Sequence, residues 1–173
     1  MGKYPNQETT KMLKDIIGDS GEEKVLRYEA LSALGKQGQV ENLSLIKPSL
    51  TSNDVYERGA AINALGGFDP QTVVPLYRQA LRDGMWRNRV GVLKVVSEKK
   101  LLGLEDAVMF TAEEDPEKPV RTEALRTLAV LDGANSWQMM ERLFKDSKTG
   151  DEIRGLIAEL LITKHFVQSK EII

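Results

Sequence analysis

The sequence predicts an all-α fold, an α-solenoid of about five stacked helix pairs wound as a right-handed superhelix. Three observations lead there. An arginine recurs at Arg27, Arg58, Arg89, Arg121 and Arg154, at intervals of 31, 31, 32 and 33 residues. Positions three, four and seven after each arginine are apolar: Ala30, Leu31 and Leu34; Ala61, Ile62 and Leu65; Val92, Leu93 and Val96; Ala124, Leu125 and Leu128; Ile157, Ala158 and Leu161. A helical face repeated in register at this period marks stacked supersecondary units. Alternating β-branched runs are absent, and glycines and prolines fall between helical segments, so one domain spanning 1–173 is expected.

In chain order, residues 7–17 carry Met12, Leu13, Ile16 and Ile17 at helical spacing and predict a capping helix. Repeats follow over 22–161, leaving 162–173 as a tail with a fraying partial helix. The first unit pairs the helix around Arg27 with a short one from about Val40 to Lys47, Leu43 and Ile46 inward, ended by Pro48. In the second unit Asp54 is placed to cap a helix that Gly66 and Gly67 stop, since glycine tolerates the left-handed conformation of many helix ends. Pro70 suits a first helical position, where no amide hydrogen is required. Val73, Val74, Leu76, Tyr77, Ala80 and Leu81 supply that helix's buried side. Leu104, Ala107, Val108 and Thr111 do the same for one later partner helix, and Trp137, Met140, Leu143 and Phe144 for another. Acids precede most first helices (Glu22, Glu23, Asp54, Asp83, Asp115, Asp151), where they meet free amides and the positive end of the helix dipole.

Composition narrows the function classes. Hydrophobic residues at 41% and charged residues at 29% describe a soluble globular chain. A net charge of -2 argues against an electrostatically dominant nucleic-acid or membrane partner. With no cysteine there is no disulfide, thiolate nucleophile or cysteine metal site. The N-terminal stretch lacks an apolar signal region, and Asn6 stands where a myristoylation signal beginning at Gly2 needs Ser or Thr. The expectation is a cytoplasmic protein.

The unit from Asn53 to Asp83 resembles the short HEAT-like repeats of phycobilin lyase subunits. Asp54, Arg58, Ala61, Ala64, Leu65, Gly66, Pro70 and Pro75 carry the likeness, which extends over about Glu22 to Leu161. Glu57 departs from it where the repeats have valine, and Ser97 where they have a helix-ending glycine. The resemblance implies an α-solenoid and permits several roles: a protein-binding scaffold, a bilin lyase-like accessory subunit, or a nucleic-acid binder akin to HEAT-like DNA repair glycosylases.

No motif points to catalysis, a cofactor or a metal. Gly18-Asp19-Ser20-Gly21 matches the string around a trypsin-like nucleophile, but the one histidine, His165, lies in the tail of an all-helical chain. Glu105, Asp106, Glu113, Glu114, Asp115 and Glu117 form an acidic cluster without the glycine-centred loop of an EF-hand, so a solvated face is expected. The arginine column reads as structural, each guanidinium satisfied by an acidic cap or free carbonyls of a neighbouring unit rather than serving as an anion ladder.

Charge is segregated along the chain. Residues 78–100 hold seven bases against Asp83 and Glu98, with Trp86 among them. That stretch is the candidate nucleic-acid surface, and Trp86 is either an anchor for a partner or a ring folded over the groove between repeats. The favoured function is a non-enzymatic protein-binding scaffold or adaptor. Its expected surface is the outer side of the second helices: Gln71, Arg78, Gln79 and Arg82, with Trp86 at one edge; Glu105, Asp106 and Met109; and Gln138, Glu141 and Arg142.

Overall fold

The structure, a computed structural model, describes residues 7–170, with side chains through residue 164. The readings made at Gly2 and Asn6, the His165 side chain and the last three residues of the tail lie outside the described residues. The described residues form ten α-helices with short 3-10 turns and no strand. A lone α1 (Gln7–Gly18) precedes five first helices: α2 (Lys24–Gln37), α4 (Val55–Ala64), α6 (Trp86–Lys99), α8 (Lys118–Leu131) and α10 (Asp151–Lys170). Between them lie α3 (Leu43–Ile46), α5 (Pro70–Ala80), α7 (Glu105–Glu114) and α9 (Ala134–Lys145). The chain divides into two compact units, 1–95 and 96–173, with the boundary inside α6.

The apolar triads are core. Every member in the first four repeats is buried, as is Ile157 in the fifth, while Ala158 and Leu161 are half-buried. In the first unit α2 and α4 run side by side in the same direction. Lys24 and Tyr28 at the start of α2 reach Asp54 at the start of α4, and Gly35 meets Ala64 near their ends. The start of α6 joins them, since Asn88 Nδ2 donates to the Val55 carbonyl at 3.2 Å. In the second unit α8 and α10 are likewise parallel, tied by Lys118 to Glu152 and by Asp132 to Lys164. So are α7 and α9, through Glu105 with Ser136 and Glu113 with Arg142. These helix-to-helix ties span about one sequence period, so each unit packs like elements of successive repeats against each other.

Glycine acts differently from the expectation. Neither Gly66 nor Gly67 is left-handed; α4 tightens into a 3-10 turn over Leu65–Gly67. The left-handed residues are Gly38 (φ 62), Lys100 (φ 49) and Asp132 (φ 59), each eleven positions after a column arginine, and they follow α2, α6 and α8. Ser97 therefore removes no helix stop. Gly35 and Gly67 serve close approach instead. A Cβ on Gly35 would lie 2.5 Å from the Ala64 Cα, and one on Gly67 would lie 2.7 Å from the Gly35 carbonyl carbon. Small residues let the two backbones touch.

Other differences have local causes. The α-helical part of the short helix ends at Ile46, ahead of Pro48, but the chain runs on as a 3-10 turn, Lys47–Thr51, near whose start the missing amide hydrogen of Pro48 is harmless. Met12 points to water and Thr10 is the buried residue of α1. On α9 the buried residues are Ser136, Met139 and Met140, with Trp137 half-buried and Phe144 exposed. Counting the inward face from Trp137 had turned it by about one position, because both aromatics lie along the helix flank. The expected separate tail helix is instead the continuation of α10, which runs on to Lys170.

Candidate binding surfaces

The arginine column makes a recurrent local bond. Arg58, Arg89 and Arg121 each donate from Nη1 to the carbonyl six residues earlier, those of Ser52 (2.8 Å), Asp83 (2.7 Å) and Asp115 (2.6 Å). Each guanidinium thus fastens the loop that leads into its own helix. Arg58 also forms a two-pronged pair with Asp83, Nε to Oδ2 at 2.6 Å and Nη2 to Oδ1 at 3.1 Å. Burial pushes the Asp83 carboxyl up, but the bonds from Arg58 and the Met85 amide outweigh it and hold the group below its ordinary range. Arg154 bonds the Phe144 carbonyl and Asp151, whereas Arg27 keeps a buried Nε without a partner.

Asp54 combines two tasks. Its Oδ1 caps α4 by accepting from the Tyr56 and Glu57 amides, and its Oδ2 accepts from Lys24 and the Tyr28 hydroxyl. Those bonds, Lys24 and Tyr28 foremost, hold its carboxyl far below the usual range. Burial first, and then the bond to Asp54, push the Tyr28 hydroxyl up to about 12.

Of the first unit's proposed contact residues, Gln71, Gln79 and Arg82 are exposed, and Arg78 is half-buried. Asp69 caps α5 by accepting from the Thr72 amide, which fixes the helix that presents them. Trp86 opens α6 half-buried, with the exposed Arg87 guanidinium 4.6 Å from its ring centre. Gln79 and Arg82 help line a cleft of about 300 Å³ together with Leu50, Arg58, Leu76, Ala80, Asp83 and Gly84.

In the second unit Glu105 is no free surface acid. Its Oε1 accepts from the buried Ser136 hydroxyl at 2.6 Å, and its carboxylate packs against Gly133, where a Cβ would lie 2.6 Å from Oε2. It joins α7 to α9. Asp106, Gln138, Glu141 and Arg142 are exposed and Met109 is half-buried. Arg142 pairs with Glu113, so the outer sides of α7 and α9 form one face. That face includes Phe110, 69% exposed and missed in the sequence. The missed signal was angular: two positions past Val108, Phe110 stands about 200° round the helix from a buried residue.

The remaining motifs take local structural places. Asp19 accepts from the Gly21 amide at 2.8 Å, which makes the protease-like string a turn. The acidic cluster disperses: Glu105 goes to Ser136, Glu113 to Arg142, and the buried Asp115 accepts from the Glu117 amide. At the end of α8, Asp132 accepts from the Trp137 indole at 2.7 Å and from Lys164, which also lies over the Trp137 ring. No helix among the described residues is long and apolar enough to cross a membrane. No family model matches the chain, and no curated protein matches it.

Proposed function

We propose that the chain is a non-enzymatic protein-binding module, its HEAT-like repeats stacked as an α-solenoid and its partner held on the outer faces of the second helices. The α7–α9 face carries this reading. Phe110 stands out between Asp106, one turn before it, and Glu113 and Glu114, one turn after, and Arg142 extends the charged rim onto α9. An exposed aromatic ringed by charge is the composition of an interface anchor with a steering rim. The parallel ties of α7 to α9 support stacking, because the neighbouring repeats of the second unit then offer their second helices in the same orientation.

The test is capture of partners from the native host by the purified chain, followed by titration of each purified candidate against the parent and Phe110→Ser. A partner that binds the parent saturably and loses at least about tenfold on substitution, with the melt unchanged, is the expected result. Equal affinity for parent and variant would remove the α7–α9 face from the reading.

A further inference from the structure

The cleft beside α5 has a surplus of hydrogen-bond donors and an apolar wall. Its charged pair is already matched internally. Both Asp83 oxygens accept from Arg58, and Oδ1 also accepts from the Met85 amide at 2.8 Å. Asp83's side chain is 5% exposed and that of Arg58 18% exposed. The pair therefore contributes little net charge at the cleft. Of the five N–H hydrogens of a guanidinium, Arg58 spends those on Nε, Nη1 and one on Nη2, against Asp83 and the Ser52 and Asn53 carbonyls. One Nη2 hydrogen remains.

The Arg82 amide donates to the Gln79 carbonyl at 3.0 Å, but its guanidinium, exposed at the same cleft, makes no hydrogen bond or ion pair with the described residues. The Gln79 side chain adds an amide. Leu50, Leu76 and Ala80 supply an apolar wall beside these donors. Such a site suits an acceptor group carried on a short hydrocarbon stem: the anion pairs with Arg82 while the methylenes cover the leucines.

We infer that this cleft is a receptor for an acidic side chain of glutamate length, presented by a partner protein. A carboxylate can lie flat against the Arg82 guanidinium in a two-pronged bond, while the two methylenes of a glutamate stem can cover the apolar Leu50 and Leu76 side chains that line the same cleft. The site shares no residue with the α7–α9 face, so each can fail without the other.

The test is a ¹H–¹⁵N titration of the whole protein with N-acetyl-glutamate amide, with N-acetyl-glutamine amide as neutral isostere and inorganic phosphate as bare anion. The expected result is saturable shifts at the Ala80 to Gly84 amides by the glutamate probe, with a Kd on the order of millimolar. The glutamine probe and phosphate should act at least about fivefold more weakly. Arg82→Gln, at an exposed position, should abolish saturation with the melt unchanged. Leu76→Ala, which keeps every charge, should weaken the glutamate probe about threefold and leave phosphate unaffected. Equal response to glutamate and glutamine, full binding by Arg82→Gln, or phosphate as effective as glutamate would each overturn the assignment.

Discussion

At Arg58 a single side chain joins two pieces of chain that are far apart in sequence. It holds the loop carbonyl of Ser52 and, through Asp83, the entrance to the next first helix. Deleting the guanidinium leaves Asp83 buried without its counter-ion, so Arg58→Ala should cost about 1–3 kcal/mol in a urea melt. The partner's side follows from linkage. Asp83 titrates below its ordinary value in the fold, so its contribution is present above about pH 4 and disappears as pH falls through the lowered folded value. The gap in stability between the parent and Asp83→Asn should therefore be constant from pH 7 to 5 and shrink towards pH 2. A gap that widens on acidification would contradict the ion pair. The arginines themselves were legible as a column because they recur at a fixed interval. Their common bond to the carbonyl six residues back was not legible, since periodicity carries no information on which loop atoms a flexible side chain reaches.

Helices α2 and α4 meet through glycine and alanine, and the two roles of glycine can be separated by experiment. In a helix interior, Gly→Ala gains up to about 1 kcal/mol from propensity alone. Gly91 in α6 and Gly155 in α10 have nothing within 4 Å of a built Cβ, so alanine at either should stabilise by about 0.5–1 kcal/mol. At Gly35 the same substitution drives a methyl into the Ala64 backbone and should cost about 2 kcal/mol or more despite the propensity gain. Thermal melts of Gly35→Ala and Gly91→Ala should shift in opposite directions; a shared upward shift would refute the close approach. Element positions were readable because the apolar triads obey the helical period locally. Helix ends were not. The stop falls at Gly38, Lys100 and Asp132, and a lysine or aspartate there gives no warning of positive φ. On α9 the flanking aromatics mask the buried stripe of Ser136 and Met139, and polar Ser136 is buried with its hydroxyl donating to Glu105.

For the whole molecule, the repeat was visible in the sequence and the proposed binding face only in part. Exposed polar residues such as Gln138 and Glu141 follow from helical geometry once the buried stripe is known. The bond of Glu105 to Ser136 was not legible because the two lie 31 residues apart on different helices. Phe110 was assigned to neither face, although the inward set through Val108 turns it outward. Both residues belong to α7, the helix on which the proposed function rests. The most direct measurement is binding of a captured partner to the parent and to Phe110→Ser and Arg142→Glu, each verified by an unchanged melt. The account predicts that Phe110→Ser loses at least about tenfold in affinity at any salt, while Arg142→Glu alters binding chiefly at low ionic strength. Affinities equal to the parent for both variants would contradict it.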